Sequence, residues 1–215
     1  VPPQPLPQDL KPLTSLRFWA ALWVVLFHFR SYADGWGWAS SLLGKGYLGV
    51  DFFFVLSGFL ITGILHDAKG RPYFFRNFYM RRALRIFPLY YLVLALVVIV
   101  TPLLVYLKLQ GTANPAWISI YATNFVIAAK GGGAFGILDH FWSLAVEEHF
   151  YFVWPAVVFF LDRRKLMWVA ACVCLLAPCL RFAAWDGGET LPIGVYMLTP
   201  MRMDSLAAGA FLALL

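Results

Sequence analysis

The sequence predicts an all-α fold, a polytopic transmembrane helix bundle. Hydrophobic residues make up 61% of the 215 and charged residues only 13%, about half the share that a soluble domain carries. Mean hydropathy is +0.73. Apolar runs close to the length of a bilayer crossing recur along the chain, separated by short charged or Gly/Pro-containing segments.

Taken in order, the first apolar run covers residues 13–29 and the second 47–65. The third spans 84–107, the fifth 141–161 and the sixth 166–180, and another begins near Ser205. A crossing needs about 20 apolar residues, so the first and sixth are short and call for tilt or flanking extension. The fourth, Trp117 to Ala129, suits a re-entrant segment as well as a full crossing. No internal repeat and no soluble domain is evident.

Charge orients these elements. The loop HDAKGRPYFFRNFYMRRALR carries Lys69, Arg71, Arg76, Arg81, Arg82 and Arg85 against a single aspartate, which places it in the cytoplasm by the positive-inside rule. The N-terminus, two crossings earlier, is then also cytoplasmic. Arg163, Arg164 and Lys165 also ask to be inside. They get there only if the fourth segment does not cross, and the reading leans that way.

Residues 1–12 read as a Pro-rich cytoplasmic lead without the charged n-region and cleavage site of a signal peptide. Residues 13–215 form the membrane domain. The chain lacks an initiating Met and stops inside an apolar run, AAGAFLALL, so a C-terminally incomplete domain of a longer protein is expected. The net charge of +6 speaks of topology and anionic membrane lipid. No Lys/Arg-rich segment is interleaved with exposed aromatics as a nucleic-acid surface requires. Cys172, Cys174 and Cys179 lie in one apolar stretch without histidine at zinc-ligand spacing, so they read as packing residues and no metal site is expected.

Several charged groups sit where membrane helices rarely tolerate them. Arg17 and His28 share the run LTSLRFWAALWVVLFHF. Eleven steps of about 100° return them to one helix face, about 16 Å apart along the axis. Such a pair is a functional-site hypothesis by default. An interfacial arginine and a histidine bonded to a neighbouring helix is the alternative. In GYLGVDFFFVLSGFLIT, Gly46, Gly49 and Gly58 permit close helix approach and Ser57 can bond across it. Asp51 reads either as a site wall or as a carboxylate at a helix N-terminus.

Arg81, Arg82 and Arg85 fall on one helical surface, as a topological anchor or as a fork for phosphates. HFWSLAVEEHFYFVWP gathers His140, Glu147, Glu148 and His149. Adjacent Glu147 and Glu148 point in different directions, while Ser143 and Glu147 share a face. Arg202 and Asp204 stand before the last run, as an interfacial ion pair or as a further wall of the site.

Together these segments resemble the acyltransferase-3 family of integral membrane acyltransferases. The resemblance rests on Arg17 with His28, GVDFFFVLSGFLI at 49–61, RRALRIFPLYY at 81–91, SLAVEEHFY at 143–151 and RMDSLAAGAFLA at 202–213. It implies the N-terminal part of a roughly ten-helix domain in a bacterial inner membrane. It also implies an acyl group, often acetyl, moved from cytoplasmic acyl-CoA to a hydroxyl of a cell-envelope carbohydrate or lipid-linked glycan. Acyl-CoA is then a co-substrate, and no cofactor is held permanently.

On that resemblance His28 is expected as the base that takes the hydroxyl proton, and Glu147 as the group that orients it. Arg17, Arg81, Arg82 and Arg85 are expected to receive the phosphates of coenzyme A. The eleven-residue step would then measure a pantetheine arm lying in the bundle. A secondary transporter using intramembrane His, Glu and Arg is the competing function.

Overall fold

The computed structural model describes residues 11–33, 35, 37–106, 111–185, 187–188 and 192–215. The first ten residues of the Pro-rich lead lie outside the described residues. The helices are α1 Lys11–His28, α2 Trp38–Gly44, α3 Leu48–Ala68, α4 Phe74–Tyr106, α5 Ala116–Ser119, α6 Thr123–Lys130, α7 Phe141–Phe160, α8 Arg163–Ala183, α9 Ile193–Met197 and α10 Thr199–Leu212. No strand occurs among the described residues, and the all-α bundle expected from composition is found. Among the described residues three stretches are long and apolar enough to cross a membrane: Trp38–Ala68, Phe74–Leu103 and Arg163–Ala183.

α3 is the hub. It runs antiparallel to α1, and glycines set the distance. A Cβ on Gly46 would lie 2.5 Å from the Trp23 carbonyl oxygen, and one on Gly49 2.7 Å from that of Ala20. The α3–α10 contact is closer still. A Cβ on Gly58 would fall 1.9 Å from the Leu206 oxygen, and one on Gly209 1.9 Å from the Val55 oxygen. Small residues that let backbones meet are the usual adhesive where lipid removes the hydrophobic drive between helices.

α7 lies parallel to α3. Phe54 packs edge-on to Trp142, and the Trp154 indole donates to Thr62 Oγ1 at 2.8 Å. At the end of both helices Lys69 donates to the carbonyls of Val158 and Leu161, at 2.9 and 2.5 Å, capping orphan groups of α7. α8 runs antiparallel to α10, with Arg163 Nε donating to the Leu214 carbonyl at 2.8 Å. The core fills with Phe54, Val146, Phe150, Trp154, Leu206 and Ala210 from α3, α7 and α10.

The tie between Lys69 and the end of α7 resolves the conflict over the fourth segment. Arg163–Lys165 begin α8 next to Leu161, so they lie at the same end as the 69–85 basic segment. The segment read as 117–129 is two short helices, α5 and α6, broken at Tyr121, whose φ is 58°. Bulky residues rarely adopt this conformation. Stacking on Tyr90 at 4.5 Å and the Tyr90 hydroxyl donating to Ile118 O at 2.5 Å hold the turn. Eight residues of α6 rise only about 12 Å, far short of a crossing.

The third run differs from the sequence reading. Its helix begins at Phe74 and not near Leu84, so the arginines read as a loop ride on its first turns. Phe74–Phe87 contains no glycine or proline and is rich in helix-forming Arg, Met, Ala and Leu. At 33 residues α4 is about 50 Å long, longer than a bilayer core.

Candidate functional site

The site forms where α1, α3, α4 and α7 converge. Ser57, fully buried on α3, donates its hydroxyl to Glu147 Oε1 at 2.6 Å. The next residue faces the other way, as their adjacency requires: Glu148 Oε1 accepts from Arg82 Nη2 at 3.0 Å and Nε at 3.3 Å. The same guanidinium lies over the Tyr151 ring, 3.0 Å from its centroid. A planar cation on an aromatic face and a carboxylate at its edge is an arrangement for arginine and not for lysine.

This seam borders a cavity of about 480 Å³, whose lining includes Arg17, Ser57, Arg82, Arg85, Glu147 and Tyr151. A second cavity of about 340 Å³ adjoins it, sharing Ile61, Ile64, Arg82 and Arg85 and adding Arg71 and Arg81. The two make a passage with arginines along it, from the turn between α3 and α4 inward to Glu147. Its apolar wall comes from Leu60, Ile61, Ile64 and Leu144.

The structure thus brings Arg17, Arg82, Arg85, Ser57 and Glu147 to one cavity and Arg81 to the adjoining one. His28 lies elsewhere. It ends α1 beside His140, the residue capping α7, with ring centroids 6.4 Å apart. Glu147 is seven residues further along α7, roughly 10 Å at 1.5 Å per residue, and its carboxylate is engaged by Ser57. Ser143 donates to the His140 carbonyl at 3.2 Å and is a helix-start contact.

Arg202 and Asp204 do not pair with each other. Arg202 binds Asp51 at 2.5 Å, and Asp51 also accepts from Ser205 Oγ at 2.8 Å. Asp204 binds Arg181 at 2.6 Å, and Arg181 donates also to the Met201 carbonyl. These pairs join α3, α10 and α8 at the end opposite the basic segment. Two residues apart, Arg202 and Asp204 face different neighbours on a helix, a constraint readable in the sequence although the partners were not.

Sequence reasoning missed three groups. Tyr151, under Arg82, stands four residues from Glu147, so its shared face was legible. Arg181 carried no signal. The chain of Asn124 Nδ2 donating to Thr199 Oγ1 at 2.8 Å, with His149 Nδ1 2.7 Å from that same oxygen, joins three elements distant in sequence.

A family model described as an acyltransferase domain matches residues 12–214. A Bacillus subtilis (strain 168) protein provisionally named as peptidoglycan O-acetyltransferase YrhL is 34% identical over 94% of this chain and 32% of its own length. Peptidoglycan O-acetyltransferase OatA of Listeria monocytogenes is 31% identical over 94% of this chain and 33% of its own. O-acetyltransferase OatA of Staphylococcus aureus (strain NCTC 8325 / PS 47) is 29% identical over 96% and 35%. The chain spans about a third of the length of these curated relatives. No solved structure matches it. With the acyltransferase domain covering nearly every residue and apolar helices long enough to cross a membrane, the chain belongs to the acyltransferase-3 family of integral membrane acyltransferases.

Proposed function

We propose that this chain is the membrane part of an enzyme that moves an acyl group, acetyl foremost, from cytoplasmic acyl-CoA to a hydroxyl of a cell-wall carbohydrate. Peptidoglycan is the acceptor class that the names of two relatives favour. The observation that carries the reading is the passage that combines Arg17, Arg82 and Arg85 with apolar walls and ends at the Ser57–Glu147 pair. It offers guanidinium forks for phosphates near its mouth and an apolar channel for a pantetheine arm.

In this reading the basic end faces the cytoplasm of a bacterial inner membrane, with the N-terminus on the same side. The coenzyme phosphates meet Arg81, Arg82 and Arg85, and the arm runs inward past Arg17. His28, about 16 Å along α1 from Arg17, takes the proton of the acceptor hydroxyl as its oxygen attacks the thioester carbon. The C–S bond breaks, and the coenzyme thiolate recovers that proton. Glu147, held by Ser57, shares the lining of the channel with Arg17 and Arg82. Acyl-CoA is a co-substrate, and no permanently bound cofactor is invoked.

The test is transfer of radiolabelled acetyl from acetyl-CoA in membranes containing the full-length protein, wild type against His28→Ala. Label in the carbohydrate fraction that His28→Ala abolishes supports the reading. Undiminished transfer by the variant removes His28 as base. Absence of coenzyme-dependent label, with proton-coupled solute uptake instead, would make the protein a transporter.

A further inference from the structure

We propose that His140 is a catalytic residue: its imidazole and that of His28 flank one reacting centre, His28 facing the acceptor hydroxyl and His140 donating to the oxyanion that develops on the thioester carbonyl. The proposal rests on the acyl transfer proposed above and adds a residue that transfer requires but the arginine passage does not supply.

The two rings stand 6.4 Å apart between centroids, inclined at 67°. This is an edge-to-face pair at the long end of the usual range, which sets both imidazoles beside one small region. Both imidazoles sit among aromatics. His28 has Phe27 at 5.6 Å and His140 has Phe141 at 4.9 Å. Neither ring nitrogen hydrogen-bonds a protein group among the described residues, and both residues are exposed. A substrate oxygen can therefore reach them.

The scaffold holds His140 firmly. Asp139, the residue before it, accepts from the backbone N–H of Gly133 at 2.5 Å and of Phe135 at 2.7 Å. This closes the glycine-rich turn onto the start of α7. Beyond it Trp142 is buried against Phe54 and Tyr196. His140 is thus pinned from both sides while its ring faces His28. Preorganised donors of this kind cost no reorganisation when charge develops.

The step balances with these groups alone. His28 takes the proton of the acceptor O–H while that oxygen forms a bond to the thioester carbon. The carbonyl electron pair moves to oxygen, and the His140 N–H donates a hydrogen bond to the resulting oxyanion. Collapse restores the carbonyl, breaks the C–S bond and expels the coenzyme thiolate, which takes the proton from His28. The products are the ester and free coenzyme A.

The experiment measures kcat and KM for acetyl transfer from acetyl-CoA in membranes containing the full-length protein, normalised to the amount of protein. It compares wild type, His28→Ala, His140→Ala, His140→Gln and His140→Asn. Loss of an oxyanion donor costs about 100-fold or more in kcat. We expect that loss in His140→Ala with KM for acetyl-CoA unchanged, and partial recovery in at least one amide variant, since an amide N–H can replace the imidazole donor. Wild-type kcat in His140→Ala overturns the role of His140 while leaving the acyl-transfer reading standing. So does a loss confined to KM, or an equal loss in all three variants at position 140. Wild-type membranes that transfer no acetyl from acetyl-CoA overturn both.

Discussion

Gly58 on α3 and Gly209 on α10 each point at the other helix's backbone, and a Cβ on either would lie 1.9 Å from a carbonyl oxygen. Van der Waals contact fails at that distance, so the helices must part for any side chain. Gly58→Ala and Gly209→Ala are each expected to lose at least the ~1–3 kcal/mol of an overpacked core, read as a drop in thermal stability in detergent. Gly63→Ala, on the same helix with nothing within 4 Å, should be neutral or slightly stabilising.

Ser57→Ala leaves the Glu147 carboxylate without its hydroxyl donor. Hydrogen bonds between membrane helices average about 0.6 kcal/mol, with a maximum near 1.7, and an acceptor this enclosed sits toward the upper end. A double-mutant cycle with Glu147→Leu, which removes the acceptor, should give a coupling of about 1 kcal/mol. Additive effects would show that the contact does not hold the two helices together.

Replacing Arg82 by lysine retains a charge but loses the fork to Glu148 and the plate on Tyr151. The expected result is a rise of about tenfold in KM for acetyl-CoA with a smaller change in kcat. Arg85→Lys, on an exposed turn of the same helix, should move KM less. Equal effects at the two positions would remove the argument from geometry.

Asp51→Ala strands Arg202, whose side chain is 7% exposed. Breaking a buried pair costs about 3–5 kcal/mol; partial exposure of Asp51 puts the expectation at the low end, about 3. Asp51→Leu combined with Arg202→Met should recover most of it, because the desolvated charge goes too. Unfolding in detergent measures both.

Asp162 caps α8 by accepting from the Lys165 backbone N–H at 2.9 Å. That bond holds its carboxyl below its ordinary value of 3.8, with the nearby Lys165 ammonium helping. A depressed carboxylate contributes its stabilisation above the ordinary value and loses it as pH falls through the lower, folded one. Protection of the first α8 turn from hydrogen exchange, corrected for intrinsic rate, should therefore fall below about pH 4. Asp162→Ala should show the lower protection already at neutral pH.

The sequence made the helical class, the main apolar runs and the divergence of Glu147 from Glu148 legible, because hydropathy and the 3.6-residue period are local. It misplaced the start of α4, where basic residues mimicked a loop although their helix propensity was sound. It left the fourth segment undecided, since the break depends on a left-handed Tyr121 supported by Tyr90, more than thirty positions earlier. The partners of Arg202 and Asp204 were illegible for the same reason: Asp51 and Arg181 reach them only through tertiary packing. The glycines of 46–58 were readable as points of close approach, although which helix approached each one was not.

The α3–α10 seam also bears on motion. Two helices joined backbone to backbone have no side chains there that can change rotamer, so the pair is expected to travel as one rigid body. Any breathing that admits a bulky ligand then falls to α1, α4 and α7, the other walls of the passage. A cross-link between α3 and α10 should accordingly leave turnover intact, while one between α1 and α4 should arrest it.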